Sequence, residues 1–478
     1  MKNLPYPHSR ELSNCKAFLQ ILIILLYVIL QVAYQMKSKT EKFLRRADNV
    51  LQVFRMKDAK TFYPERNFGT SGRMKGIGFY PPRKEFTVAP FNSYEYKRRI
   101  ENAKRLMEEK GIDVLLITEP VTIDYFTGFR KPFPSKHRPR GVLIPLDGEP
   151  VMVIAMMSAI LAEKSAPWLK DIRKWGGPPY MNLPFDPLDV FIDIVQTNGY
   201  SKVGMELGHL TRMDMSNVDF EKIKSGIGSE KIVDGSEVIW ECRKIKSRNE
   251  IEKMARCVHI MCEGYRLGFE SLEVGMTERD VASLIWQFWV KHGCFTSEVT
   301  GSFLIRAGKS RYSMLSSPPV DRKFERGDVI FFDGGPNYEG YQGDIIRLAS
   351  IGEPNDRQKK AFKIALEKMD AGLEAMVPGN TWADVALAAQ EAEKKAGVER
   401  DLIRRHGHGI GMDLHEPPNI YEKDATPVEP GNTVSYEPAA YDYPEWQVLG
   451  GKVEEQIVIT EHGPEILSKE LEREMWIL

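Results

Sequence analysis

Residues 327–348 read GDVIFFDGGPNYEGYQGDIIRL, and this stretch decides the fold of the C-terminal half. An apolar run, Val329–Phe332, ends on Asp333, and a second apolar run follows Asp344 directly. Fully extended, the eleven-position step from Asp333 to Asp344 would hold the carboxylates about 36–40 Å apart. Gly-Gly-Pro-Asn at the centre demands a turn instead, so two antiparallel strands are expected, with both carboxylates brought to one site. Each carboxylate abuts an apolar run, where burying it bare is costly, so it must be paired or bound to something.

Further along, residues 404–419 read RRHGHGIGMDLHEPPN. His406, His408 and His415 are three of the chain's nine histidines. Gly407, Gly409 and Gly411 alternate with them and permit close backbone approach. A lone histidine is usually structural; three in a glycine-rich segment point to metal binding or acid–base chemistry. Two glutamate-bearing strands follow: Glu437 in TVSYEPAAY, and Glu454 and Glu455 in GGKVEEQIVIT. Strand alternation puts Glu454 with Gln456 on one face and Glu455 with Ile457 and Ile459 on the other, so only one of the adjacent glutamates can enter a shared site. Four carboxylates with one or more imidazoles suit a pair of divalent ions such as manganese, cobalt, iron or zinc. Two such ions can share a hydroxide and clamp a reacting carbonyl.

The whole chain has 478 residues, 42% hydrophobic and 28% charged, the mix of a globular protein with a large core. With 66 basic and 67 acidic residues the net charge is −1, so there is no positive field to gather a nucleic acid. Five cysteines without CxxC spacing argue for reduced thiols and against a disulfide framework. Residues 1–92 read as an N-terminal extension. Within it, residues 18–34 form an apolar stretch at the short end of the transmembrane range, flanked by basic residues on both sides. If present, it would anchor the protein to a membrane; translation from Met36 or Met56, giving a cytoplasmic protein, is the favoured alternative. Residues 57–92, rich in Gly, Pro and aromatics, read as an irregular arm. Residues 93–240 alternate helix and strand as a mixed α/β domain. Residues 241–478 form a second domain, opening on helices over 248–271 and 277–292 with further helices at 356–375 and 382–396. His259 and His292 lie on the first two without partners at ligand spacing and read as surface or core-edge residues.

The set of motifs resembles the pita-bread metallopeptidases, and the two-domain layout resembles their aminopeptidase P, prolidase and creatinase branch. The resemblance implies an α/β N-terminal domain followed by an α+β pita-bread domain. It implies metal ligands at Asp333, Asp344, His408, Glu437 and Glu454, with manganese the favoured ion of two. Asp344 and Glu454 would contact both metals, Asp333 would chelate one, and His408 and Glu437 would hold the other. It also implies catalytic roles for Glu437 and His415, a homodimer, and a short-peptide or small-molecule substrate. Arg138 is the nearest match to a creatinase arginine that binds the substrate carboxylate, with Arg140 as alternative; a solvated basic loop is the plain reading of KHRPR. Two departures stand out. The peptidases place a histidine before the first aspartate, where this chain has Ser316 or Ser317 and no histidine between His292 and His406. Lys452 stands where an arginine is common.

Three functions are open on this reading. The leading one is a two-metal hydrolase of an amide bond, most simply an Xaa-Pro peptidase. The missing histidine speaks for the second, turnover of a small non-peptide substrate such as a creatine- or ectoine-like amide or dimethylsulfoniopropionate. The third, a non-catalytic binding module, fits least, because no ligand position is lost.

Overall fold

Helix starts in this chain are written locally. Asn92 accepts from the backbone N–H groups of Tyr94 and Glu95 to open α1 (Ser93–Lys110), and Gly111, at φ 62°, closes it in the left-handed region. The computed structural model describes residues 89–130, 139–294, 303–312, 316–398, 404–440 and 451–478. The apolar stretch 18–34, Met36, Met56 and Arg138 lie outside these residues. Of the expected arm, Ala89–Phe91 is described, and Ala89 and Phe91 are buried in the core with Tyr96.

After α1 the N-terminal region runs β1 (Val114–Ile117), α2 (Pro120–Thr127), β2 (Gly141–Pro145), β3 (Val151–Ala155), α3 (Met156–Ser165) and β4 (Asp171–Trp175). It continues with α4 (Pro187–Asn198), β5 (Val203–Met205), α5 (Asn217–Ile227), β6 (Ile232–Asp234) and α6 (Ser236–Lys244). The strands form one mixed sheet in the order β4-β3-β2-β1-β5-β6. Strand alternation explains why β1 is apolar throughout. Leu115 and Ile117 enter the core shared with α1, while Val114 and Leu116 enter the core shared with α4 and α5. Residue 240, the expected domain boundary, falls inside α6.

Ser247 then opens α7 (Arg248–Ser271) with a capping box, accepting from the Glu250 N–H while the Glu250 carboxylate accepts from its own. Thr277 does the same with Asp280 for α8 (Glu278–Lys291). Next come β7 (Phe303–Ala307), β8 (Val329–Gly334), the short ribbon of β9 (Asn337–Tyr338) and β10 (Tyr341–Gln342), and β11 (Ile345–Ser350). Helices α9 (Asp356–Ala375) and α10 (Trp382–Lys395) follow. The chain finishes with β12 (Arg405–Gly409), β13 (Glu416–Tyr421), β14 (Thr433–Tyr436), β15 (Glu455–Thr460), β16 (Gly463–Ile466) and β17 (Trp476–Ile477).

Apart from the β9–β10 ribbon, these strands make two sheets, ordered β17-β11-β8-β7 and β13-β12-β14-β15-β16. Ile330 and Phe332 of β8 and Ile345 of β11 pack under α7 and α8, beside Tyr265, Phe269 and Trp289. Val434, Tyr436, Ile457 and Ile459 pack against α9 and α10. Each such side chain contributes about 1.5–3 kcal/mol on burial, enough to fix the register of its strand. Phe269 and Phe332 stack with ring centroids 4.3 Å apart. His259 pairs with Glu470 and His292 stacks on Phe288, both partly exposed, as expected for core-edge histidines.

The described residues of the two regions belong to one compact unit. Their junction is a buried network. Arg99 of α1 donates to the Tyr125 carbonyl at 2.7 Å and to the Tyr341 hydroxyl at 3.0 Å, and Tyr341 donates to Glu250 at 3.0 Å. The β9–β10 ribbon is therefore pinned from the N-terminal domain. Arg130 adds a bond to the Glu339 carbonyl at the ribbon's tip, 2.8 Å long.

Candidate metal centre

β8 and β11 pair antiparallel, with Asp333 opposite Ile346 and Gly334 opposite Ile345. Asp344 sits one residue before β11, so the hairpin returns it to the level of Asp333. The return is tight: a Cβ at Gly335 would run into the Gly343 carbonyl. Tyr265 reaches from α7 to hold the two strand ends, its hydroxyl 2.6 Å from the Gly334 carbonyl and 3.2 Å from that of Ile345.

The second sheet supplies three more donors. His408 lies in β12, Glu437 follows β14 and Glu454 precedes β15. A Cβ at Gly407 would collide with the Ser435 carbonyl of the neighbouring strand, so the glycine there lets β12 and β14 close up. Donor atoms fall into three groups, each spanning less than 4.8 Å: Asp333, Asp344 and Glu454; His408, Glu437 and Glu454; Asp344, His408 and His415. Shared members link the groups into one continuous centre. His408 Nε2 stands 3.6 Å from Asp344 Oδ2 and 3.7 Å from Glu437 Oε1. Its Nδ1 is 3.0 Å from the Gly409 carbonyl, which can only accept. The proton therefore resides on Nδ1, and Nε2 presents its lone pair to the centre.

Electrostatics show what the centre lacks. Burial, followed by repulsion from Asp333 and Glu437, pushes the Asp344 carboxyl well above its ordinary range. Burial and then Asp344 do the same to Glu454, and burial raises Asp333. Burial also acts to raise Glu437, but Lys452 and His408 outweigh it and hold that carboxyl down at about 2. Burial lowers His408 to about 3, keeping the imidazole neutral. Glu454 Oε1 is buried with no hydrogen-bond partner. Carboxylates crowded this closely ionise together only when cations are added, and a divalent ion supplies both the missing charge and the missing partner for Glu454. The residues thus fit divalent metal, with Asp333, Asp344, His408, Glu437 and Glu454 in position to hold it.

Glu455 turns away from this centre. It pairs with Arg347 at 2.9 Å and Arg473 at 2.8 Å and accepts from Ser468. His415 is exposed at the edge, its ring centroid 4.1 Å from that of His408. Ser317 accepts from Arg311 at 2.9 Å. Arg140 is buried just before β2. Four residues around the centre were given no role in the sequence reading. Arg306 donates to Asp333 at 3.1 Å. Gln456 accepts from the Asp344 N–H at 3.1 Å. Arg347 binds the Glu454 carbonyl at 2.6 Å. Glu416, next to His415, is claimed by Arg243 at 2.6 Å and Lys246 at 3.0 Å. The one available signal was a charged or amide side chain inside an apolar strand, as in FLIRA or EEQIVIT.

Carboxylates and one imidazole converging from strand ends over a divalent-metal centre define a metal-dependent hydrolase of the metallopeptidase class. Residues 252–461 match the family model of Metallopeptidase family M24, and residues 99–245 that of the Creatinase/Prolidase N-terminal domain. The chain thus carries the domain pair of the pita-bread metallopeptidases and is similar to their branch of aminopeptidase P, prolidase and creatinase. It is 29% identical over 382 residues to an Xaa-Pro dipeptidase of Pyrococcus furiosus, covering 79% of this chain and 99% of that one. It is 27% identical to an Xaa-Pro dipeptidase of Lactobacillus delbrueckii subsp. lactis, covering 76% and 95%. Among solved structures, an X-Pro aminopeptidase from Thermotoga maritima superposes with a TM-score of 0.68 at 26% identity, covering 79% of this chain and 99% of that one. No helix among the described residues is long and apolar enough to cross a membrane.

Proposed function

We propose that the chain hydrolyses the bond before proline in short peptides, with two divalent ions, manganese favoured, held by Asp333, Asp344, His408, Glu437 and Glu454. The observation that carries this reading is the linked set of donors closing on the unpartnered Glu454 Oε1. The names of the relatives above support the substrate class. When bound, the metal would supply a water-derived nucleophile at neutral pH and polarise the scissile carbonyl. On this reading Glu437, held ionised beside Lys452 at 2.9 Å, would relay the water's proton to the leaving nitrogen. On this reading His415, whose pKa is lowered by desolvation of the ring at the site edge and then by Arg405, would donate its imidazole N–H to the oxygen that gains charge. Assembly as a homodimer belongs to the same reading; light scattering near twice 54.6 kDa tests it.

The test is turnover by demetallated protein reloaded with manganese, cobalt or zinc. The panel holds an Xaa-Pro dipeptide, an Xaa-Pro tripeptide, a creatine-like amide and dimethylsulfoniopropionate. The proline peptides should be cleaved, and Asp344→Asn should cut the rate at least ~100-fold with loss of bound metal. No proline-peptide cleavage under any metal would overturn the reading. One observation favours a second, a small non-peptide substrate: at the segment where the peptidases carry a histidine, the Ser317 hydroxyl is engaged by Arg311 and offers no titrating group. On that reading the creatine-like amide or dimethylsulfoniopropionate outpaces the peptides.

A further inference from the structure

The glycine-rich segment after His408 carries a clamp that lies outside the set of metal donors. Glu416 is buried, and its carboxylate accepts from Arg243 Nη2 at 2.6 Å, from Lys246 Nζ at 3.0 Å and from the Asp413 N–H at 3.0 Å. The same Arg243 Nη2 donates to Asp413 Oδ2 at 2.7 Å. Arg243 lies in the last turn of α6 and Lys246 between α6 and α7, so both cations come from the junction of the two domains. Burial acts to raise the Glu416 carboxyl, but Arg243 and then Lys246 outweigh it and hold it at about 2. Gly411 is the glycine this arrangement requires: a Cβ there would stand 2.8 Å from both Glu416 carboxylate oxygens and 2.9 Å from Lys246 Cε.

We infer that Arg243, with Glu416 and Lys246, is a positioning unit that sets the His415 imidazole against the metal centre. The inference rests on the role proposed for His415 above and deepens it. His415 is exposed, and its ring centroid lies 4.1 Å from that of His408. An exposed ring is not wedged by packing, so its place depends on the backbone turn that carries it. That turn is held on both flanks. On the near side Gln342 donates its backbone N–H to the Gly411 carbonyl at 2.8 Å and its side-chain amide to the Met412 carbonyl at 3.3 Å. On the far side Asp413 and Glu416 are gathered onto one guanidinium nitrogen, which fixes the span that holds only Leu414 and His415. Two acids this close repel each other unless a cation stands between them, and Lys246 reaches only Glu416. Without Arg243 the span opens and His415 loses its register with His408. A misplacement of about 1 Å is enough to cost roughly 100-fold in rate.

The experiment assays metal-loaded, full-length Arg243→Met, His415→Ala and the double variant on whichever substrate of the panel above wild type turns over. His415→Ala should lower kcat about 100-fold. Arg243→Met should lower kcat at least about tenfold with KM within about threefold of wild type. It should retain as much metal by mass spectrometry as wild type, since the bonds of Arg243 and Glu416 go to none of the five donors. The double variant should fall no more than about threefold below His415→Ala, because the clamp has nothing left to position. Arg243→Lys, which keeps the charge without the planar fork, should recover part of the loss. Circular dichroism shows whether Arg243→Met folds; Asp413→Ala, at a partly exposed side chain, carries the same comparison if it does not. Losses that multiply in the double variant would overturn the inference, as would a loss in Arg243→Met that tracks lost metal. Wild-type kcat in Arg243→Met beside a crippled His415→Ala would overturn it too. Full activity in His415→Ala would overturn the role proposed for His415 and the inference with it. Turnover of no substrate under any metal would overturn the reading of the whole site, and both fall together.

Discussion

Replacing Arg347 by methionine tests how the ligands are held from behind. The side chain is fully buried and makes five bonds: Nε to the Glu472 carbonyl at 3.0 Å, Nη1 to Ile346 at 3.0 Å and Glu454 at 2.6 Å, and Nη2 to the Leu471 carbonyl at 3.0 Å and Glu455 Oε2 at 2.9 Å. It thereby ties β11, which follows Asp344, to the backbone of Glu454. Methionine keeps an apolar stem but has no guanidinium and donates nothing. Breaking a buried ion pair by removing one partner costs about 3–5 kcal/mol. Here Glu455 keeps Arg473 and Ser468, which lowers the cost. Four carbonyls lose a donor, which raises it. The two corrections oppose each other, so a loss of about 3–4 kcal/mol is expected, a large part of the 5–15 kcal/mol typical of a domain. Urea denaturation of the metal-free protein measures it, with an unchanged slope required for the comparison. Glu454 also loses its backbone anchor, and supports of this kind are typically worth 10- to 100-fold in metal affinity. A stability loss below about 1 kcal/mol would refute the energetic argument. A large loss with metal affinity unaltered would refute the claim that Arg347 positions Glu454.

Tyr265→Phe removes only the hydroxyl that bridges the Gly334 and Ile345 carbonyls, so it should cost about 1–2 kcal/mol in urea denaturation and weaken metal binding by a few-fold. The N-terminal domain carries a buried acid, Glu206, that accepts from the Thr118 and Glu119 N–H groups. Burial, then the charge of Glu119, pushes it up to about 8. A raised acid contributes stability that is fully present below its unfolded value near 4.5 and is lost as pH rises through 8. Glu206→Gln should therefore flatten the fall in stability between those limits and make the variant the more stable form at pH 9; denaturation midpoints measured across that range check it.

The donors of the candidate metal centre were legible because their signals are local. Asp333 and Asp344 border apolar runs across a Gly-Pro turn, His408 sits in an alternating His-Gly segment, and strand alternation separates Glu454 from Glu455 before any contact is known. Helix starts were legible for the same reason, since Ser247 and Glu250 carry the cap of α7 within four residues. What surrounds the ligands was not. Arg306 meets Asp333 across 27 positions, Arg347 meets Glu455 across 108, and Gln456 meets Asp344 across 112. Hydrophobic periodicity reports that such a side chain enters the interior, but not which strand lies opposite. That is fixed only when β8 pairs with β7 and β11 and when β15 brings its Gln456 side chain to the Asp344 N–H. Lys452 shows the division most plainly. In the sequence it stands out only as a lysine where an arginine is common, with no partner named. Only the folded sheets set its ammonium between Glu437 and Asp333, because the energy of a charge depends on what surrounds it in space and not on its neighbours along the chain.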